Sequence, residues 1–257
     1  RMGWNGDINV FSKAATWLTQ ANQFLARHLR AMRDMQADNG RYSDVAPVGN
    51  GFGVTLWGSA CIVIPWELYQ QYGDKYILAD HYTSMEAYLQ FLESRQTEAG
   101  ILNEGPLGDW LSPENGKNDN TLLWTAYQVY NLDIMRKVAQ ILGKAEAARA
   151  FGESYAARKA FLNTRYVDAS SGKTVMSGFV AQGFGPPPAN PPQQGDWMDT
   201  QASYAIPLAL NAFNEVNHQR AVEHLAATLQ RKNVDDAGIE RPEYSLMTGF
   251  IGTAAMG

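Results

Sequence analysis

The stretch LLWTAYQVYNLDIMRKVAQILG, Leu122 to Gly143, decides the fold class. Leu123, Tyr127, Tyr130, Ile134, Val138 and Ile141 recur at intervals of three and four, which places them on one face of an α-helix. Gly143 then stands where a helix stop belongs. Toward the N-terminus the same period returns in Phe11, Ala14, Leu18, Ala21, Leu25, Leu29 and Met32, read as one long amphipathic stripe. Further helices are expected near 55–73, 76–96, 146–162, 200–214 and 217–231. Gly73 marks another stop, and Asp7 and Thr200 are N-cap candidates. Pro65 predicts a kink in the helix that contains it.

Between the helices lie loops rich in Gly, Trp and Asp, and no run of strands stands out. Arg165 to Gly178 reads as a short hairpin with Ser171-Gly172 at its turn. GFGPPPANPPQQGDW, Gly183 to Trp197, is too proline-rich for a helix and reads as a long loop inside one domain spanning residues 1–257. The class is all-α. Long helices at this spacing suggest antiparallel hairpins, stacked as a solenoid or closed as a toroid, and the lack of a fixed-period repeat weakens the solenoid.

The balance of charge removes several functions. A net charge of −5 and a pI near 5.4 argue against a nucleic-acid partner, whose binding surface would be basic. No apolar run reaches the roughly 20 residues of a membrane helix, and the most apolar stretch, ACIVIPW, is broken by Pro65. A single cysteine, Cys61, excludes an internal disulfide. There is no GxSxG elbow and no P-loop. His28, His81, His218 and His224 have no metal-ligand spacing, and His28 and His224 read as surface or packing residues. Asp235-Asp236 is too short for a metal-binding aspartate cluster and reads as a solvated loop. No metal and no cofactor are implied.

What remains is carboxylates beside tryptophans: Trp4 with Asp7, Asp109 with Trp110, Asp196 with Trp197. One reading is that half-buried tryptophans cap the core. The other is a sugar site, where indoles stack on apolar sugar faces and carboxylates grip hydroxyls. Glycoside hydrolysis needs one acid to protonate the leaving oxygen and a second carboxylate as nucleophile or water-activating base. Asp7, Glu104 and Asp109 form the shortlist from residue types alone, with their roles open.

RMGWNGD, Arg1 to Asp7, resembles the ERLGWTGD signature of the family-78 glycoside hydrolases, the α-L-rhamnosidases. Other stretches are similar to family landmarks in the same order. They are LWGSACIVIPWELYQQYGDKYIL (Leu56 to Leu78), HYTSMEAYLQFL (His81 to Leu92), GDWLSP (Gly108 to Pro113), DTQASYAIPLAL (Asp199 to Leu210) and TGFIGT (Thr248 to Thr253). The resemblance spans nearly the whole chain. Asn5 replaces the commoner Thr, and Ser59 stands where the family often has Asp.

The resemblance implies an (α/α)6 six-hairpin barrel, incomplete at both ends, that hydrolyses terminal α-L-rhamnosyl residues with inversion. It places the general acid just before Arg1 and the base beyond Gly257, so no catalytic residue is expected within the chain. Asp7 would bind rhamnose hydroxyls, with Trp4, Trp57, Asp109 and Trp110 around the sugar. The partner would be a rhamnose-containing glycoside or polysaccharide, and accessory β-domains would flank the barrel in a longer polypeptide. The segment Asp235 to Ser245 reads as an insertion at the rim, its Glu240 and Glu243 as solvated charges. The alternatives are a helical toroid that binds sugar without cleaving it, and a hydrolase or lyase of the same fold acting on another sugar.

Overall fold

In the computed structural model residues 3–49, 51, 54–181 and 189–257 are described. Arg1 and Met2 of the RMGWNGD stretch, and residues 183–188 of the proline-rich loop, lie outside them. The described helices are α1 (Asn5–Leu18), α2 (Asn22–Asp34), α3 (Thr55–Gly58), α4 (Ala60–Tyr72), α5 (Lys75–Ser94), α6 (Asn120–Ile141), α7 (Ala145–Arg165), α8 (Gln201–Ala209), α9 (Glu215–Leu229) and α10 (Phe250–Met256). A pair of two-residue strands, β1 (Asn233–Val234) and β2 (Glu240–Arg241), runs antiparallel.

The helix ends follow their side chains. Thr200 caps α8 in a capping box with Ser203, and Asp74 accepts the Tyr76 amide at the start of α5. Gly73 ends α4 in the left-handed conformation (φ 70°), and Gly143, just past α6, has φ 73°. Asp7 is not an N-cap: α1 starts at Asn5, Trp4 holds the cap position without a side-chain bond, and Asp7 lies in the first turn. The helix containing Pro65 runs on through it, and the interruption falls at Ser59, between α3 and α4. The expected hairpin forms around Gly172 (φ 75°), with Val167 bridging Thr174. In the segment read as an insertion, Glu240 and Glu243 are exposed as expected, but its first part forms the turn and second strand of the β1–β2 hairpin and Asp235 is not solvated. Asp235 is buried there and accepts the Ala237 and Ile239 amides and the Arg241 guanidinium.

The N-terminal stripe is two helices, and half of it faces outward. Leu25, Leu29 and Met32 of α2 are buried, but Phe11 and Leu18 of α1 are 54% and 72% exposed. Instead α1 buries Asn5, Gly6, Asn9, Ser12, Ala15 and Thr16. Small side chains let α1 approach its neighbours closely, and the polar ones are bonded. Asn9 donates to the Leu56 carbonyl (2.6 Å) and Thr16 to that of Lys13 (2.7 Å). In α6, Leu122, Leu123, Trp124, Ala126, Val129, Ile134, Met135, Val138 and Ala139 are all fully buried, so apolar residues cover far more than one stripe.

The chain divides into two compact units. One comprises residues up to Gln96 with Asn131–Ala156; the other comprises Thr97–Tyr130 with Ala157–Gly257. In the first, α1, α2 and α5 pack on α4. In the second, α9 and α10 pack on α8. Among the described residues no helix is long and apolar enough to cross a membrane.

Candidate functional site

In the first unit the GWNGD turn is pinned by backbone and side chain together. Trp4 bridges Val45, the Asn5 amide donates to the Asp44 carbonyl (2.8 Å), and the Ala46 amide to that of Gly3 (3.0 Å). Asn5 is fully buried, donating from Nδ2 to the Ser43 carbonyl (2.6 Å) and facing His28 Nε2 through Oδ1 (2.9 Å). Burial lowers the His28 pKa, which favours the neutral ring beside this amide. Asn5 in place of the commoner Thr is thus a lock on the turn.

The lock leaves Trp4 37% exposed and Asp7 half-buried on the first turn of α1. A carboxylate on the first turn of a helix is favoured by the helix macrodipole. Trp57, on α3, is only 4% exposed. Its indole lies on Gly6, where a Cβ would meet the ring at 2.5 Å. Trp57 therefore backs the turn from inside.

In the second unit the loop at Gly108–Ser112 is laid against the start of α10. The Asp109 side chain is fully buried, and its carboxylate accepts the amides of Gly249 (2.6 Å), Ile251 (3.0 Å) and Gly252 (2.8 Å). Burial raises its pKa, against which the three amides pull down. Trp110 is 43% exposed beside it, so the two neighbours face opposite ways. The Asp196–Trp197 pair divides too: Asp196 accepts the Gln193 amide (2.8 Å), while Lys173 Nζ lies 4.3 Å from the Trp197 ring centroid. Glu104, shortlisted from the sequence, is buried.

Sequence reasoning passed over Glu114, which is buried in this unit, and Asp199, which is partly buried. Burial raises the Glu114 pKa, partly offset by Lys117 at 3.3 Å. Burial also pushes Asp199 upward, but hydrogen bonds from Arg231, Tyr204 and Lys173 outweigh it and hold its pKa below the ordinary carboxylate value. Lys173 and Arg231 are 26 and 32 residues away in sequence, so no local motif announces the cluster. Among the described residues no group of three or more His, Cys, Asp or Glu could hold a metal ion.

The family model of the bacterial α-L-rhamnosidase six-hairpin glycosidase domain matches residues 1–257. The chain belongs to that family. It is 35% identical over 256 residues to an α-L-rhamnosidase of Streptomyces avermitilis, covering 98% of this chain and 21% of that protein. An α-L-rhamnosidase of Formosa agariphila is 29% identical over 262 residues, covering 98% of this chain and 25% of the relative. The crystal structure of the Streptomyces avermitilis enzyme complexed with L-rhamnose superposes with a TM-score of 0.78 at 30% identity, over 98% of this chain and 21% of that one. The structure of the α-L-rhamnosidase from Dictyoglumus thermophilum gives a TM-score of 0.80 at 26% identity, over 99% and 26%. This rhamnosidase-family chain is a mostly helical domain of the six-hairpin glycosidase class, and it spans about a quarter or less of these relatives.

Proposed function

We propose that the chain forms the sugar-holding part of a glycoside hydrolase that releases terminal α-L-rhamnosyl residues from glycosides or polysaccharides with inversion. The observation that carries this is the GWNGD turn, with Trp4 at the N-cap and Asp7 on the first turn of α1, locked by Asn5 and backed by Trp57. Ligand chemistry fits the display. A carboxylate accepts the hydrogen bonds of sugar hydroxyls, and an indole face covers the apolar side of a deoxysugar, its methyl included. Trp57 contributes by holding Gly6 and the turn in place, and Trp110, 43% exposed in the second unit, is read as a sugar-stacking indole on its own account.

Inversion requires an acid on the glycosidic oxygen and a base that activates water on the opposite face, with roughly 6.5–9.5 Å between them. In this reading Asp7 is neither of those two carboxylates. Asp7 and Trp4 bind the sugar, and the hydrogen bonds that Asp7 accepts strengthen as it flattens toward an oxocarbenium-like transition state.

The test is full-length protein on an aryl α-L-rhamnoside beside other aryl glycosides, with the first-formed anomer followed by proton NMR. Release of rhamnose with the β-anomer appearing first is expected. The α-anomer first would overturn inversion. No rhamnose release from a folded full-length protein would overturn the assignment, leaving a non-catalytic sugar binder or an enzyme for another sugar.

A further inference from the structure

We propose that Asp109 is a positioning residue, which clasps the GDWL loop to the TGFIGT segment and thereby presents Trp110 to the sugar. The inference rests on the reading of Trp110 as a sugar-stacking surface. Two motifs some 140 residues apart become one physical unit in it.

The clasp has three straps. The Asp109 carboxylate takes the Gly249, Ile251 and Gly252 amides, the Phe250 amide donates to the Trp110 carbonyl (2.7 Å), and Ser112 Oγ donates to that of Met247 (2.9 Å). Both glycines of TGFIGT are needed to admit the loop. A Cβ on Gly249 would lie 2.3 Å from the Trp110 oxygen and 2.5 Å from the Asp109 oxygen, and one on Gly252 would lie 2.6 Å from Asp109 Oδ2. Gly108 is confined likewise, with Asn120 Oδ1 at 1.8 Å from a Cβ there.

The loop is held in a shape it would not choose. Leu111 has φ of 64°, a left-handed conformation that costs a branched side chain roughly 1–2 kcal/mol, and it is 76% exposed. No packing of its own side chain repays that. The straps at Asp109, Trp110 and Ser112, on both sides of Leu111, do. With Asp109 anchored inward, the next residue is directed outward, which is where Trp110 stands. A carboxylate whose two oxygens already serve three amides is poorly placed to grip a hydroxyl. It is well placed to fix the indole that follows it.

The experiment uses the full-length enzyme and measures kcat and KM on an aryl α-L-rhamnoside for wild type, Asp109→Asn, Trp110→Ala and the double variant. Asparagine turns a donor toward at least one of the amide N–H groups. Asp109→Asn is expected to raise KM about tenfold, the factor that about 1.4 kcal/mol of lost stacking represents, and to leave kcat within about twofold. Trp110→Ala should match it, and the double variant should be no worse than Trp110→Ala alone. An unchanged KM in Asp109→Asn, or penalties that multiply in the double variant, would overturn the clasp. An active wild type whose KM is indifferent to Trp110→Ala would overturn both the sugar-stacking reading of Trp110 and the inference built on it. An inactive wild type would overturn the rhamnosidase assignment, and the proposal for sugar presentation with it. Should Asp109→Asn fail to fold, Ser112→Ala removes one strap and keeps the buried carboxylate. A KM rise is then expected, and an unchanged KM counts against the clasp.

Discussion

Replacing Gly6 by alanine tests whether Trp57 holds the sugar-binding turn from behind. In an unobstructed helix the change is favourable, by up to about 1 kcal/mol from propensity alone. Gly6 is not unobstructed: its Cβ would stand 2.5 Å from Trp57 Cε2 and Nε1 and 2.8 Å from Cδ1. The indole is 4% exposed and cannot swing away without disturbing its neighbours. Overpacking of this kind costs about 1–3 kcal/mol, so the net expectation is a loss of about 1 kcal/mol. Chemical denaturation followed by far-ultraviolet circular dichroism measures it. The sign should reverse against a Trp57→Leu background, where Gly6→Ala meets no ring and stabilises by about 0.5 kcal/mol. A Gly6→Ala protein more stable than wild type with Trp57 present would refute the packing argument.

Three further outcomes follow from the same structure. Burial and the charge of Arg33 outweigh the attraction of Asp80 and lower the His81 pKa from 6.5 to about 4, so its contribution is complete above pH 6.5 and is lost as pH falls toward 4. That fall corresponds to about 3 kcal/mol, and a pH series of urea melts should be flatter over this window in His81→Phe. Thr200→Val keeps the shape of the α8 cap but removes its hydroxyl, which accepts the Ser203 amide and donates to Asn118 Oδ1, and should cost about 1–2 kcal/mol in the same melts. Arg149→Ala breaks an ion pair to Glu153 that is about 70% exposed on both sides, and it should change stability by less than about 0.5 kcal/mol.

The helices were legible where their cores are apolar. Leu25, Leu29 and Met32 in α2 and the run Leu123–Val138 in α6 obey the spacing that announces them. The spacing misled in α1 because that helix buries its small and polar side and turns Phe11 and Leu18 outward. Hydrophobic periodicity assumes that the buried face is the oily one. Close helix contact with every polar group bonded, as at Asn9 and Thr16, breaks the assumption without a sequence signal. The β1–β2 hairpin was missed for a different reason. Asp235 looks like a solvated charge until Arg241, six residues on, supplies its partner.

The candidate site shows the same limit more sharply. Adjacency of Trp and Asp suggested three equal grips, yet the carboxylates do three different things. Asp7 stands half-buried on the first turn of a helix, Asp109 is sunk into backbone amides, and Asp196 braces its own loop while Lys173 covers Trp197. What separates them lies elsewhere in the chain. Gly249 and Gly252 open the space that lets Asp109 turn inward, and Asn5 with Gly6 fixes the turn that leaves Asp7 half-buried. A carboxylate beside a tryptophan is therefore ambiguous until the residues that receive it are known. For Asp109 two of the three receiving residues are glycines, whose importance comes from the side chain they make room for.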